Sequence, residues 1–223
     1  MTNKKNILQQ FYDTMLTAFG HQHWWPGDSP FEVLVGAVLT QNTNWTNVEK
    51  AITNLKNANA LDPFIIRDMP NEQLAALIKP SGYLNLKTKR LKNVIAFLCE
   101  KHEGDIENLK NYPVYQLRED LVSINGIGPE TADSIILYAL EKPTFVIDTY
   151  THRILTRHQL IDPDAQYEDL KEYCQYNLPE DTQLYNECHA LLVQIGKNYC
   201  KPKPKCENCP LNKYPHQLEE LYT

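Results

Sequence analysis

The sequence predicts an all-α protein, and three observations support that fold class. Apolar residues recur every three or four positions along most of the chain, which is the spacing of one face of an α-helix. No stretch of useful length alternates apolar and polar residues, as a half-buried strand would. Short turns rich in proline, glycine and asparagine separate the periodic segments. With 223 residues, the chain can bury one good core or two modest ones.

Helical segments follow one another along the chain with short loops between them. In the first half, the apolar period predicts helices at residues 4–19, 29–39, 48–55, 71–78 and 86–98. In the second half, it predicts helices at residues 114–124, 129–140, 149–157, 167–176 and 181–199. Pro30 and Pro129 suit the first turn of a helix, because the N–H that proline lacks would have no partner there. The polar run Gln41–Asn44 interrupts the period between two of these helices.

The segment Leu121–Ala132 combines a helix end, a tight turn and a helix start. Gly126 and Gly128 allow the turn and bring bare backbone N–H groups close to a partner. Those groups lie at the start of the helix that begins at Pro129, where the helix dipole favours an anion. The pattern predicts a helix–hairpin–helix that grips phosphate, although an ordinary turn between two helices would share the same glycines.

Asp148 follows the apolar triplet Phe145–Ile147 and precedes Thr149 at a predicted helix start. That position suits a helix N-cap. It also suits a carboxylate held at a fixed place, which could stabilise a developing positive charge or activate water. The two roles are compatible.

Several motifs, in one order, resemble the helix–hairpin–helix DNA glycosylases of the endonuclease III superfamily. The motifs are Leu39–Thr43, Ser81–Tyr83, Lys87–Leu91, the hairpin with Asp-Thr-x-x-x-Arg at 148–153, and a terminal cysteine cluster. The resemblance implies two helical lobes, one of residues 27–139 with the hairpin and one of residues 1–26 with 140–223. It further implies an active cleft between the lobes with Asp148 at its wall, where the carboxylate stabilises the sugar cation formed as a base leaves.

Glu130 departs from the lyase members of this family. In members that also cut the backbone, a lysine at this position attacks the sugar, and a carboxylate cannot form a Schiff base. The segment from Tyr112 to Glu141 contains no lysine. The sequence therefore favours a monofunctional glycosylase. The alternatives are a bifunctional pyrimidine glycosylase with lyase activity, a non-catalytic DNA-binding module and an acidic scaffold.

The chain has three tryptophans. Trp24 and Trp25 lie in the loop that precedes the second predicted helix, and Trp45 directly follows the polar break at Gln41–Asn44. Their faces would attract an electron-poor or cationic ring, such as an N-alkylated purine flipped out of the duplex. This pattern resembles the 3-methyladenine branch of the superfamily, though buried core aromatics would look the same. Family resemblance places Gln41 or Asn42 in the gap that the flipped nucleotide leaves.

The net charge of −6 argues against general nucleic-acid binding, but the basic residues are clustered. We expect double-stranded DNA with a damaged base as the partner, bound by a monomeric protein on one basic face. The expected DNA-contacting residues are Lys87, Lys89, Arg90, Gly126, Gly128 and Glu130. The absence of a long apolar run and of a signal-peptide core leads us to expect a cytoplasmic protein with no membrane partner.

The last cysteines, Cys200, Cys206 and Cys209, have a spacing that resembles the [4Fe–4S] motif of the family. The first gap is one residue shorter than in that motif, and Pro215 stands where the fourth cysteine is expected. His216 is the nearest candidate for a fourth ligand. A zinc site with the same four residues and a remnant that binds no metal are the alternatives.

Overall fold

The computed structural model describes residues 6–25 and 27–217. Residues 4 and 5 of the expected first helix, and Pro26 in the tryptophan loop, lie outside the described residues. Within the described ranges, the chain is helical and has no strand, which confirms the predicted fold class. None of the described helices combines the length and the apolar character that crossing a membrane would need.

The α-helices of the described residues are numbered α1 to α11 in chain order. The first six are α1 Ile7–Phe19, α2 Pro30–Leu39, α3 Trp45–Asn57, α4 Pro63–Asp68, α5 Asn71–Ile78 and α6 Leu84–His102. The last five are α7 Val114–Ser123, α8 Pro129–Ser134, α9 Thr149–Arg157, α10 Tyr167–Asn177 and α11 Thr182–Asn198. Short 3₁₀ helices lie at Lys79–Ser81, Ile106–Asn111, Cys206–Asn208 and Pro210–Lys213.

One compact unit spans Trp25–Lys142. Its centre is α2, which is buried from Glu32 to Leu39 because its sequence is apolar on nearly every side. Helices α3 and α6 pack against α2, and so does a π-helical turn at Ile135–Ala139. This turn continues α8 without a break in burial.

The second compact unit joins the described part of Met1–Trp24 to that of Pro143–Thr223. Helix α11 packs against α9 and α1. The backbone of α11 comes very close to Tyr150 at Gly196, where a Cβ atom would lie 2.3 Å from Tyr150 Cδ1. Asp148 and Asp181 cap the starts of α9 and α11. These caps set where the helices that carry the site begin.

The main differences from the sequence predictions concern short elements. Helix α4 and the 3₁₀ helix Ile106–Asn111 were not predicted, because six residues are too few for a clear apolar period. The predicted single helix at 129–140 is instead α8 followed by the π-helical turn. Such turns are rare and often occur at functional sites.

Candidate functional site

The hairpin turn between α7 and α8 is anchored through its carbonyl groups. Asn93 Nδ2 donates to Asn125 O at 2.8 Å, and Gln41 Nε2 donates to Gly126 O at 3.1 Å. Because C=O and N–H point in opposite directions across a trans peptide, the bond to Asn125 O turns the N–H of Gly126 away from Asn93. Gly126 has a φ of +96°, and Gly128 is exposed with open space around its Cα. The carbonyl groups of the turn are thus held by the protein, and Gly128 lies at the surface.

Gln41 is held by three hydrogen bonds of its side-chain amide. Its Nε2 donates to Gly126 O and to Thr131 Oγ1, at 3.1 and 2.9 Å, and its Oε1 accepts from Arg90 Nη1 at 2.6 Å. Neighbouring Asn42 is exposed and has a φ of +53°, in the left-handed region that few residues other than glycine adopt. The amide of Gln41 is thus committed to the hairpin, and Asn42 is the residue presented to solvent.

Lys87 is buried, with only 1% of its surface exposed, and it does not form part of a basic surface. Its Nζ donates to Leu39 O at 2.8 Å and to Ser81 O at 2.5 Å. Burial, with a smaller contribution from Arg90, lowers the pKa of Lys87 to about 8. The expectation that Lys87 contacts DNA is therefore wrong, because its ammonium group is enclosed and bonded to the protein. The residue instead ties the end of α2 to the turn before α6.

Lys87→Met should destabilise the fold, because the substitution keeps most of the length of the unbranched side chain but removes the ammonium group that donates to two buried carbonyls. We expect a loss of about 1–3 kcal/mol in the free energy of unfolding, measured by urea titration. Exposed Lys89 is the matched control on the same helix, and Lys89→Met should change stability by less than about 0.5 kcal/mol. Equal stability of the two variants would contradict the bracing role of Lys87.

The aromatic residues near the start of the first unit form a cluster. The ring of Trp25 lies 4.9 Å from that of Trp45 at an angle of 83°, and 4.9 Å from that of Tyr138 at 34°. Gly36 in α2 makes room for this cluster, since a Cβ atom there would lie 3.4 Å from Trp45 and 3.5 Å from Trp25. Trp25 and Trp45 are each half-buried. The structure therefore brings together two of the three tryptophans predicted to act together.

Tyr138 is a member of the aromatic cluster that sequence reasoning missed. It lies in the π-helical turn, and its apolar surroundings in sequence gave no sign of a role beyond the core. Trp24 belongs to the second unit, where Lys197 Nζ lies 5.6 Å from the centre of its ring. That cation–π contact gives Trp24 a partner of its own.

Asp148 is held by two contacts at the start of α9. Its Oδ1 accepts a hydrogen bond from Thr151 N at 2.7 Å, and its Oδ2 lies 3.7 Å from His189 Nε2. The side chain is 14% exposed, so it is largely buried. The cap and the partner together fix the direction in which the carboxylate points.

The pKa of Asp148 reflects opposing effects. Burial alone would raise it, but hydrogen bonding and charge from His189 and the backbone N–H of Thr151 lower the pKa below its ordinary value of 3.8. Asp148 is therefore ionised at neutral pH, as a group that stabilises a cation must be.

His189 is the second residue that sequence reasoning missed. It lies in α11, is 5% exposed and faces Asp148 across the interior of the second unit. A lone histidine among apolar helix residues carries no signal in the sequence, because its partner lies far away along the chain. Its contact with Asp148 appears only once α9 and α11 are packed together.

The three terminal cysteines line one small cavity in the second unit. Arg157 Nη1 donates to Cys200 Sγ at 3.3 Å and to Lys201 O at 2.7 Å, which fixes the loop that begins at Cys200. His158 and His216 line the same cavity. Among residues 6–25 and 27–217, however, no three His, Cys, Asp or Glu side chains are already arranged to hold a metal ion.

The chain is similar in sequence to known DNA repair proteins. A family model described as an HhH-GPD superfamily base excision DNA repair protein matches residues 35–180. A candidate DNA repair glycosylase of Methanocaldococcus jannaschii is 45% identical over 213 residues, covering 95% of this chain and 97% of the relative. Endonuclease III of Thermotoga maritima is 32% identical over 189 residues, covering 83% and 82% of the two chains.

Solved structures have the same fold. The H. pylori 3-methyladenine DNA glycosylase bound to 1,N6-ethenoadenine matches with a TM-score of 0.73 at 29% identity, over 86% of this chain and 95% of that one. A trapped covalent complex of endonuclease III with DNA matches with a TM-score of 0.79 at 23% identity, over 93% of each chain. The chain therefore belongs to the HhH-GPD superfamily of base excision DNA repair proteins, as a DNA glycosylase.

Proposed function

We propose that this glycosylase hydrolyses the N-glycosidic bond of an alkylated purine in duplex DNA and leaves the backbone intact. The observation that carries the proposal is Asp148, an ionised carboxylate fixed at the start of α9, in a chain that has Glu130 where lyases have lysine. The carboxylate supports the hydrolysis, and the absence of the amine argues against strand cleavage.

The proposed reaction needs a fixed negative charge beside the sugar. As the bond from C1′ to the base nitrogen breaks, the electron pair leaves with the base and positive charge builds on the deoxyribose. Asp148 stabilises that charge without reorganising, because Thr151 and His189 already hold it in place. Water then supplies the oxygen that bonds to C1′, and its proton passes to a general base, for which Asp148 is the available carboxylate.

Glu130 distinguishes this chain from enzymes that form a covalent bond to the sugar. A covalent complex with DNA has been trapped for endonuclease III. In this chain, Glu130 is exposed in the first turn of α8, where a carboxylate suits the helix dipole and offers no amine nucleophile.

Wild-type protein should therefore give no covalent complex when it is treated with borohydride in the presence of lesion-bearing duplex. We expect released base and an intact strand, scored by denaturing gel electrophoresis, with endonuclease III as the positive control for trapping. A strong trapped band with the wild-type chain would contradict the monofunctional assignment. Glu130→Lys restores an amine at this position, and a faint trapped band from that variant would show that the assay can detect one.

The aromatic cluster supports an alkylated purine as the substrate class. Trp25 and Trp45 lie together and are half-buried, and stacking of a base on an indole face favours a cationic ring over a neutral one. Trp45 Nε1 is buried and has no hydrogen-bond partner in the described residues. We therefore expect Trp45 to contribute to base binding by stacking and not by a hydrogen bond. The H. pylori relative binds 1,N6-ethenoadenine, a modified purine, which agrees with this class.

Asn42 is the better candidate for the residue that fills the gap left by the flipped nucleotide. The side-chain amide of Gln41 is already hydrogen-bonded to Gly126, Thr131 and Arg90. Asn42 is exposed, in a left-handed conformation that asparagine adopts more readily than most residues, and no hydrogen bond among the described residues holds its side chain to the hairpin. Gln41 then acts by holding the loop to the hairpin.

The hairpin is proposed to bind a DNA phosphate through the backbone N–H groups of Gly126 and Gly128. Exposed Lys89 and half-buried Arg90 add positive charge from α6. Contacts of this kind place the protein on the duplex and carry no sequence information.

The two hairpin glycines should differ in the way they respond to substitution. Gly126→Ala should lower the free energy of unfolding by at least about 1 kcal/mol, because its φ of +96° disfavours an L-residue and the new Cβ would meet Arg90 Cγ at 2.4 Å. Gly128→Ala has open space and should leave stability unchanged while weakening duplex binding at the phosphate contact. Thermal unfolding and fluorescence anisotropy measure the two effects. Unchanged duplex affinity in Gly128→Ala would contradict the phosphate role.

The cysteine cavity is proposed to hold a structural metal group, with [4Fe–4S] as the first candidate and zinc as the second. The donor set fits, since Cys200, Cys206 and Cys209 line one cavity and supply three thiolates when deprotonated. When bound, the group would fix the loop of exposed lysines from Lys201 to Lys205. Glycosidic hydrolysis requires no redox step, so no catalytic role is assigned to the group.

A panel of duplexes, each carrying one lesion, tests the substrate class. Alkylated purines, a thymine glycol and an adenine–guanine mismatch should be incubated with the full chain, and base release should be scored separately from strand cleavage. We expect release of alkylated purines at a rate well above that of the other substrates. Preferential release of thymine glycol or of mismatched adenine would contradict the substrate assignment.

A further inference from the structure

Two histidines, not one, lie beside the three cysteines. Sequence spacing points to His216, because it follows Cys209 closely. The fold adds His158, which lies far before Cys200 in the sequence and reaches the same cavity from the end of α9. Only the folded chain shows that both imidazoles line the cavity of the three cysteines.

The ring nitrogens of both histidines are arranged as in metal-binding histidines. His158 Nδ1 lies 2.9 Å from Pro215 O, and His216 Nδ1 lies 2.8 Å from Tyr214 O. Because a carbonyl can only accept, each Nδ1 carries the proton and donates it. Each Nε2 then keeps its lone pair, the arrangement that a backbone carbonyl fixes in many metal-binding histidines.

His158 is the more firmly placed of the two. It caps the end of α9, directly after Arg157, whose guanidinium bonds to Cys200 Sγ and to Lys201 O. Its ring also packs edge-on against Phe11, with the ring centres 4.7 Å apart. The Nδ1 bond of His216, by contrast, stays within its own loop, two residues away. A ligand that is already ordered loses less freedom when the metal binds.

We infer that His158 is the fourth protein ligand of the metal group held by Cys200, Cys206 and Cys209, an inference that rests on the metal site proposed above. The resulting set of three thiolates and one imidazole is accepted by zinc, and iron–sulfur centres also accept imidazole in place of thiolate. The side chains must close onto the metal as it loads, because they do not yet converge in the described chain.

The test compares metal binding by the full chain and by single variants. Each protein is reconstituted without oxygen, once with ferrous iron and sulfide and once with zinc chloride, then desalted and analysed for metal, sulfide and visible absorption. His158→Asn should retain at least tenfold less metal than the wild type, by analogy with the loss of supporting ligand contacts. His216→Asn should retain the wild-type amount, and Cys206→Ser serves as the control for a lost ligand.

His158→Cys keeps the test sharp if the asparagine variant does not fold. A thiolate at this position should restore metal binding and an iron–sulfur absorption band. Loss of metal in His216→Asn with retention in His158→Asn would overturn the inference, and so would a wild-type chain that binds neither metal. Base release by the wild type is measured in parallel. A chain that excises bases but holds no metal contradicts the ligand assignment and leaves the proposed hydrolysis unaffected. A chain that holds metal through His158 but excises no base contradicts the proposed hydrolysis and leaves the ligand assignment unaffected.

Discussion

Asp148→Asn is expected to slow base release by at least about 10²-fold, the usual effect of removing a fixed electrostatic group from a reaction centre. The substitution keeps the size of the side chain, and asparagine caps a helix about as well as aspartate, so the bond from Thr151 N is retained. DNA affinity should hold or rise, because a negative charge is removed near the phosphates. Single-turnover rates with excess enzyme measure the chemical step.

Asp181→Asn is the matched control for this variant. Asp181 caps α11 by accepting from Leu184 N at 2.7 Å, so it has the same capping role in the same unit without a place in the proposed chemistry. It should release base at the wild-type rate. Full activity in Asp148→Asn would show that Asp148 serves as a helix cap and has no catalytic role.

The pH dependence of the base-release rate provides a second test of the role of Asp148. Its pKa is lowered in the folded chain, so the carboxylate is ionised above about pH 4, and any acid limb of the rate that it controls lies below the ordinary value of 3.8. The free energy of unfolding should depend on pH in the same direction as the rate. Ionised Asp148 stabilises the fold above the pKa it has in the unfolded chain, and this contribution is lost as the pH falls through the lowered pKa of the folded chain.

Trp45→Ala is expected to slow release of an alkylated purine by on the order of ten- to a hundredfold, the equivalent of about 1–3 kcal/mol for one lost stacking face. Trp25 and Trp45 are in edge contact, so Trp25→Ala should have an effect of similar size. Duplex binding should change little, because the hairpin and basic contacts remain. Single-turnover release and anisotropy separate the two effects.

Trp45→Phe and Tyr176→Ala serve as controls for the aromatic variants. Phenylalanine keeps a smaller ring face, so Trp45→Phe should lose less activity than Trp45→Ala. Tyr176 is 88% exposed, and its removal tests the loss of an aromatic residue outside the cluster. If the wild type and Trp45→Ala released alkylated purine at equal rates, the aromatic cluster would not determine substrate choice.

Long helices and the hairpin could be predicted from the sequence because their signals are local. The predicted bounds of α5 and α9 agree with the structure residue for residue, since an apolar period defines α5 and Asp148 caps the start of α9. The Gly-x-Gly turn before Pro129 was predicted for the same reason. Helix α4 was missed because it is too short to show a period.

Roles that depend on distant partners could not be predicted in this way. Lys87 looked like a member of a basic surface, but its two carbonyl partners enclose it. His189 and Tyr138 gave no signal, because Asp148 and Trp25 approach them only in the folded chain. His158 gave no signal either, because it lies far before the cysteines in sequence and reaches their cavity only through the fold.

The measurement that tests the central claim most directly is single-turnover treatment of a duplex with one 3-methyladenine. Free base is quantified by chromatography, and strand length is read on a denaturing gel before and after alkali. The account predicts that free 3-methyladenine appears while the strand stays intact until alkali breaks the abasic site. Strand cleavage without alkali, or no base released from this duplex, would contradict it.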